Sequence, residues 1–271
     1  MTSSSKLLIE VTGLHFGYDE RVVIQEVDLQ VAQGKIVGLL GPNGSGKSTV
    51  LKVISGILRG YQGTVRVAGR DIHTLKRREL GCKLAVVPQE STFGFSFSVL
   101  EIVLMGRHPH LAGLAFESRS DINIANNALA RCGALELASR PIHELSAGER
   151  QRVVFARALA QQTQILLLDE PASFLDIRHQ VELYDIVREL ALEHECGVLT
   201  VMHDLNLAAE YCDYIYLLDN GTIAASGPTT DVLTYTNLTQ VFETEVYVDV
   251  NTVTGKLLIA PLSADSQASK R

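Results

Sequence analysis

The chain has 271 residues, of which 46% are hydrophobic, and its formal net charge is −7. A chain of this length and composition can bury a substantial core, either as one compact unit or as two closely packed subdomains. The negative charge argues against strong non-specific attraction to nucleic acid, so we expect no nucleic-acid partner.

The cysteines and the apolar runs indicate the compartment. Four cysteines are scattered without a C-x-x-C pair, which favours reduced thiols in a cytosolic protein over a disulfide or zinc framework. The first residues lead directly into a strand-like segment at 7–11 and lack the apolar core of a signal peptide. Apolar runs such as 165–168 are far shorter than the ~20 residues that span a bilayer. We therefore expect any membrane role to come through a partner.

The first third of the chain predicts strands around a glycine-rich turn. Segment 22–31 has β-branched residues in partial alternation, and 36–40 is typical of a buried strand, with a helix expected after Lys47. Two further strands are predicted at 63–67 and 84–87.

From residue 98 the β-rich character fades. Segments 98–105 and 121–132 have helical character, separated by a predicted loop at 106–113, and together they indicate an inserted helical subdomain. The second half then alternates apolar runs at 165–168 and 198–201 with helical stretches such as 178–194. This alternation predicts an α/β fold.

The strongest chemical signal is a phosphate loop between a predicted strand and a predicted helix. Its residues satisfy G-x-x-x-x-G-K-[ST]: Gly41, Pro42, Asn43, Gly44, Ser45, Gly46, Lys47, Ser48 and Thr49. Glycines let the backbone N–H groups wrap around phosphates, and the N-terminus of the following helix favours the same negative charge. Lys47 is expected at the β- and γ-phosphates, Ser48 on Mg²⁺, and Thr49 as a further phosphate contact. A dinucleotide fingerprint fits less well, because its glycine spacing differs.

A second pattern places two carboxylates after an apolar run. Asp169 and Glu170 follow residues 165–168, as expected where a buried strand ends at a nucleotide site. Asp169 is a candidate for the Mg²⁺ shell and Glu170 for the general base that polarises an attacking water. Alone, the pair could be a solvated strand end; the phosphate loop upstream favours the nucleotide site.

Residues 145–149 add a family resemblance. Leu145, Ser146, Ala147, Gly148 and Glu149 lie just ahead of residues 151–153, and in this order the chain resembles the ABC transporter ATPases. Taken alone, Ser146 and Glu149 predict a capping box at a helix start. The resemblance implies that this signature faces the phosphate loop of a second subunit, so that two ATP molecules lie between the two chains of a homodimer. Ala147 and Glu149 stand where glycine and glutamine are commoner in the family.

The remaining family landmarks are individually weak. The resemblance implies adenine stacking for Tyr18, contact with Mg²⁺ and water for Gln89, sensing of the γ-phosphate for His203, and a cross-dimer contact for Asp176 in the loop 173–176. Considered apart from the other motifs, Tyr18 would be a packed aromatic residue, Gln89 a polar loop residue and His203 a core histidine. The implied catalytic set is Glu170, His203 and Gln89, and the implied Mg²⁺ set is Ser48, Gln89 and Asp169.

The resemblance also implies an architecture. It is an α/β P-loop NTPase (RecA-like) core with an antiparallel β subdomain and an inserted α-helical subdomain. We divide the chain into a first core part (1–90), the helical subdomain (91–140), a second core part (141–226) and a C-terminal helix and strand extension (227–271).

A narrower resemblance concerns transport. Segments 98–110 and 246–260 resemble the corresponding segments in the ATPase subunits of importers for iron chelates, haem or vitamin B12. This implies membrane permease subunits, an indirect link to a substrate-binding protein, and a place at the cytoplasmic face of the inner membrane. His108 and His110 favour surface contacts over a metal site, because no carboxylate or cysteine accompanies them. The alternatives are a soluble ABC ATPase in repair or translation, an exporter subunit, or a small-molecule phosphotransferase.

Overall fold

The computed structural model describes residues 6–111 and 116–263. Within them, a four-stranded antiparallel sheet has the order β2-β1-β4-β5. Its strands are β1 (Leu7–Tyr18), β2 (Arg21–Ala32), β4 (Gln62–Val67) and β5 (Arg70–Asp71). Strands β1 and β2 are joined by a tight turn at which Tyr18 pairs with Arg21. The strand predicted at 22–31 is confirmed as β2.

A six-stranded sheet forms the centre of the molecule. Its order is β10-β9-β3-β8-β7-β6, and only the edge pair β9–β10 is antiparallel. The strands are β3 (Ile36–Leu40), β6 (Leu84–Val87), β7 (Ile165–Asp169), β8 (Gly197–Val201), β9 (Tyr214–Asp219) and β10 (Thr222–Pro228). Every residue of β3, β7 and β8 is buried, as expected for parallel strands covered on both faces.

Helices flank this sheet and build the helical subdomain. They are α1 (Lys47–Ile54), α2 (Arg77–Gly81), α3 (Val99–Leu104), α4 (Arg119–Arg131), α5 (Ala147–Ala160), α6 (Ile177–His194), α7 (Leu205–Tyr211), α8 (Thr229–Val232) and α9 (Tyr235–Phe242). Short 3-10 helices lie at Ile72–Thr74, Met105–His110, Leu135–Leu137 and Ile142–Glu144. One core cluster joins the helical subdomain to one face of the central sheet, and another fills the space between the two larger sheets.

The predicted loop at 106–113 differs from the structure. Residues 106–110 belong to a 3-10 helix, and 112–115 lie outside the described residues. A side chain at Gly106 would place its Cβ 2.2 Å from the Arg157 carbonyl oxygen, so the segment lies directly against α5. Arg107 is buried beside it, with Nε 2.9 Å from Asp121 Oδ1 and Nη1 donating to the Ala160 carbonyl at 2.7 Å. These long-range contacts hold a segment whose own sequence favours a loop.

The C-terminal segment contains a hairpin of β11 (Val246–Val250) and β12 (Leu257–Pro261). Asn206 on α7 holds it: Oδ1 accepts the Ile259 N–H at 2.8 Å, and Nδ2 donates to the Ile259 carbonyl at 3.1 Å. In 6–111 and 116–263, no helix combines the length and apolarity that crossing a lipid bilayer requires. The four-part division of the chain stays a prediction.

Candidate nucleotide site

The phosphate loop joins β3 to α1, as its sequence predicts. Gly41, Gly44 and Gly46 have φ angles of 145°, 80° and 107°, in the region that favours glycine. At Gly41, an added Cβ would lie 2.0 Å from the Leu218 carbonyl oxygen of β9. Glycine is therefore required here both by the backbone conformation and by the close approach of a neighbouring strand.

Two polar side chains of the loop are buried. Lys47 is 5% exposed, and its Nζ donates to the carbonyls of Gly41 at 2.8 Å and Pro42 at 2.7 Å. Burial lowers the pKa of Lys47, opposed by the nearby Glu170 and Asp169 carboxylates. The Ser45 hydroxyl is buried and has no hydrogen-bond partner in the described part of the chain. A cation held by neutral carbonyls and an unpaired hydroxyl both suit an entering anion.

Two of the three side chains expected on Mg²⁺ meet directly. Ser48 Oγ donates to Asp169 Oδ1 at 2.9 Å, joining the start of α1 to the end of β7. Burial raises the pKa of Asp169, although the Ser48 hydrogen bond opposes this effect. A buried carboxylate beside a hydroxyl is a donor set that fits Mg²⁺, which prefers oxygen ligands. Gln89, the third member of the predicted set, contacts Glu170 instead.

Glu170 is the centre of a hydrogen-bonded group. Its Oε1 lies 2.6 Å from His203 Nε2, its Oε2 accepts from Gln89 Nε2 at 2.8 Å, and Ser173 Oγ lies 3.2 Å from Oε2. Because an ionised carboxylate only accepts hydrogen bonds, Nε2 is then the protonated nitrogen of His203. Glu170 has a φ of 48°, a conformation that costs a non-glycine residue about 1–3 kcal/mol. With this backbone conformation, Glu170 lines the cleft beside the phosphate loop.

An open cleft with a volume of about 620 Å³ lies between the phosphate loop and the Glu170 group. Its walls combine the phosphate loop, the strand ends and one residue of β2: Val23, Asn43, Gly44, Gly46, Lys47, Ser48, Thr49, Gln89, Glu170 and His203. In this cleft a lysine can bind a phosphate chain, and a glutamate held by a histidine can accept a proton from a water beside that chain.

Sequence reasoning missed two residues of this region. Val23 lines the cleft from β2, and Ser173 donates to Glu170. The position of Ser173, three residues after Glu170, could have indicated the second contact. Nothing local marks Val23, because its position depends on how the two sheets pack.

Three predicted features lie away from the cleft walls. Tyr18, at the end of β1, is 43% exposed and contacts Phe16 edge to face, with ring centroids 5.0 Å apart. Residues 145–149 are absent from the lining, and Asp176 lies at the start of α6. The protomer thus brings together the phosphate loop, paired acids, Gln89 and His203, but not these three.

The signature forms the capping box that its sequence predicts. Ser146 is the N-cap of α5, where its Oγ accepts the Glu149 N–H at 3.3 Å and Glu149 Oε2 accepts the Ser146 N–H at 2.8 Å. The Ser146 backbone and hydroxyl lower the pKa of the Glu149 carboxyl. A Cβ at Gly148 would lie 3.1 Å from the Phe174 carbonyl oxygen, so the signature adjoins the loop that precedes Asp176.

The fold and the site define a P-loop nucleotide-binding protein with an additional antiparallel sheet and a helical subdomain. The sequence pattern of the family described as ABC transporter matches residues 24–173. The chain belongs to this family, and its membership confirms the resemblance and the fold expected from the sequence.

Its relatives include import proteins. The hemin import ATP-binding protein HmuV of Pseudomonas entomophila is 44% identical over 257 residues, covering 93% of this chain and 99% of that protein. The iron(3+)-hydroxamate import ATP-binding protein FhuC of Bacillus subtilis is 39% identical, covering 90% of each chain. The cobalamin import ATP-binding protein BtuD of Halobacterium salinarum is 38% identical, and this chain spans 66% of its length.

Solved structures agree on the architecture. An inward-facing conformation of a metal-chelate type ABC transporter matches with a TM-score of 0.83 and 30% identity, covering 96% of this chain and 99% of that one. A dimeric structure of a bacterial ABC transporter cassette matches with a TM-score of 0.75 and 26% identity, covering 82% of this chain and 99% of that one.

Proposed function

We propose that the chain is the ATP-binding and ATP-hydrolysing subunit of an importer, which energises passage of haem, a ferric siderophore or cobalamin through a membrane permease. The observation that carries the ATPase part is the Glu170 carboxylate, held by Gln89 and His203 in the same cleft as Lys47. The cargo classes rest on the relatives named for hemin, iron(3+)-hydroxamate and cobalamin import.

The phosphates of ATP bind in the loop 41–49. Lys47 exchanges its two backbone carbonyls for phosphate oxygens, and the N–H groups at the start of α1 add further donors. Ser48 and Asp169, together with Gln89 once it turns from Glu170, would hold Mg²⁺, and the ion would supply positive charge against the phosphates. Tyr18 stacks on the adenine from the end of β1, where its ring is partly exposed.

Glu170 accepts a proton from the attacking water. His203 and Gln89 occupy both carboxylate oxygens in this structure, and they orient the group toward the phosphate loop. His203 also lines the cleft, so its ring can contact the γ-phosphate and respond to its loss. The residues therefore divide into those that bind phosphate and those that position the base.

A second copy of the chain completes each site. Residues 145–149 present the start of α5 at the surface, apart from the cleft of their own protomer, and we infer that they cover the ATP of the partner. Asp176 contacts the partner beside this signature. ATP closes the homodimer because both surfaces gain anion contacts that the open state lacks, and hydrolysis releases them. The dimer joins the permease at the cytoplasmic face of the membrane, and a substrate-binding protein delivers the cargo to the permease.

Uptake by cells of the source organism tests the proposal. We would compare uptake of labelled haem, ferric hydroxamate siderophore and cobalamin in cells that carry the native chain, Glu170→Gln, or the control Glu193→Gln, whose carboxylate lies on an exposed part of α6. If cells with Glu170→Gln lose uptake of one cargo and cells with Glu193→Gln keep it, the result would support the proposal and identify the substrate. Unchanged uptake of all three would contradict the importer assignment.

A further inference from the structure

One residue holds the carboxylate of Asp176. Its Oδ1 accepts the backbone N–H of His179 at 3.0 Å and lies 2.8 Å from Nδ1 of the same histidine. Because a carboxylate only accepts hydrogen bonds, Nδ1 carries the hydrogen and donates it. Both bonds end on Oδ1. Among residues 6–111 and 116–263, no hydrogen bond to Oδ2 is found, and the Asp176 side chain is 68% exposed.

The backbone next to Asp176 is fixed by a different residue. Gln180 Nε2 donates to the carbonyls of Ala172 at 3.2 Å and Leu175 at 3.1 Å, which ties the loop after Glu170 to α6. The remaining freedom of Asp176 is rotation of its side chain. The Nδ1–H of His179 restricts that rotation, because only one orientation keeps Oδ1 within reach of both donors.

Exposed apolar side chains lie close to Asp176 along the chain. Phe174, Ile177 and Val181 flank Asp176 and are 46%, 80% and 40% exposed. The signature lies beside them, since Gly148 approaches the Phe174 carbonyl oxygen. Asp176 therefore lies among exposed apolar side chains and the exposed, charged Arg178, next to the segment that we propose for the partner's ATP.

We propose that His179 is a positioning residue, whose Nδ1–H orders the Asp176 carboxylate so that Oδ2 is presented to a second copy of this chain. The inference rests on the proposed function, in which ATP closes a homodimer. An exposed aspartate loses rotational freedom when it joins an interface, and a side chain already ordered in the free protomer loses less. His179 is not among the residues that line the cleft in the described part of the chain, so we expect its effect to fall on association and not on ATP binding by the single protomer.

The test compares two substitutions in the full chain carrying Glu170→Gln, so that bound ATP is not consumed. His179→Leu removes the ring donor but keeps the backbone N–H, whereas His179→Asn places an amide Nδ2 near the position of Nδ1. Sedimentation velocity with MgATP gives the dissociation constant of the dimer, and binding of labelled ATP at low protein concentration gives the affinity of the protomer. We expect His179→Leu to weaken the dimer ~3- to 10-fold, because both Asp176 side chains of the homodimer then lose rotational freedom on association. His179→Asn should restore the affinity.

A further comparison adds His179→Leu to a chain that already carries Asp176→Ala. No additional weakening supports the inference, and the full effect of His179→Leu in that background overturns it. The inference is also overturned if His179→Leu dimerises with the dissociation constant of the parent chain, or if His179→Asn and His179→Leu weaken the dimer equally. Both of these results leave the proposed dimer intact. A Glu170→Gln chain that stays monomeric with MgATP would overturn the homodimer itself, and the inference with it. Thermal unfolding of each variant separates these results from a loss of folding.

Discussion

Glu170 Oε1 lies 2.6 Å from His203 Nε2, although the two residues are 33 positions apart and follow different strands. Strands β7 and β8 are parallel neighbours, so their carboxyl ends meet at one edge of the sheet. Gln89, which follows β6, donates to Glu170 Oε2, and β6 is the neighbour of β7 on the side opposite β8. This contact between strand ends is the basis of the first prediction.

Replacing Glu170 with glutamine should block turnover while ATP still binds. Glutamine keeps the size of the side chain and loses the basic oxygen, and loss of a general base typically reduces rate by ~10²–10⁴. Phosphate release measures turnover, and equilibrium binding of labelled ATP measures affinity. Glu193→Gln serves as the control and should keep native turnover. Undiminished hydrolysis by Glu170→Gln would show that another group is the base.

Lys47→Ala should weaken nucleotide binding. The variant removes a buried cation that phosphate oxygens would engage, and hydrogen bonds to charged groups typically contribute about 1.5–3 kcal/mol. We therefore expect a ~10- to 100-fold rise in the dissociation constant for MgATP, measured by titration calorimetry. Lys52→Ala, an exposed lysine on the same helix, is the control. Equal affinities of the two variants for MgATP would show that Lys47 does not contribute to phosphate binding.

Ser146→Ala should destabilise the fold through the start of α5. The Ser146 hydroxyl accepts the Glu149 N–H, and loss of such an N-cap typically costs about 0.5–2 kcal/mol. The free energy of unfolding from urea titration measures the effect. Ser146→Thr keeps a hydroxyl and should retain most of the stability. If the alanine and threonine variants have the same free energy of unfolding as the native chain, the cap does not stabilise the folded state.

Asp121 should make the helical subdomain sensitive to acid. The Ser118 hydroxyl and then Arg107 hold the pKa of Asp121 down to about 2. A depressed pKa adds stability above the ordinary value of about 4, and this contribution is lost as the pH falls from there toward about 2. Asp121→Asn should lower the free energy of unfolding at neutral pH by ~1–3 kcal/mol and flatten its decline between about pH 4 and 2.

The control for this prediction is an exposed ion pair. Glu182 accepts from Arg178 Nε at 2.8 Å on the surface of α6, and such pairs typically contribute about 0–1 kcal/mol. Glu182→Gln should therefore change stability little. An acid dependence of Asp121→Asn identical to that of the native chain would contradict the role given to Asp121.

Local patterns in the sequence predicted much of the fold. The strand at 36–40 and the helix after Lys47 are found at those residues, and the helix predicted at 121–132 is α4. The helix predicted at 98–105 ends at Leu104, where the 3-10 segment begins. No prediction covered β9 and β10, although β9 supplies the carbonyl that approaches Gly41. Their positions depend on pairing across the sheet.

Local sequence patterns were sufficient to predict where the phosphate loop, the paired acids and the capping box lie in the fold. Those features depend on residue types at fixed short spacings, which strand ends, glycine turns and helix starts impose locally. Tertiary structure alone decided that Gln89 and His203 meet at Glu170, that Val23 lines the cleft, and that His179 holds Asp176 with its Nδ1. The first two require distant elements to pack together, and the third depends on a side-chain rotamer that spacing leaves open.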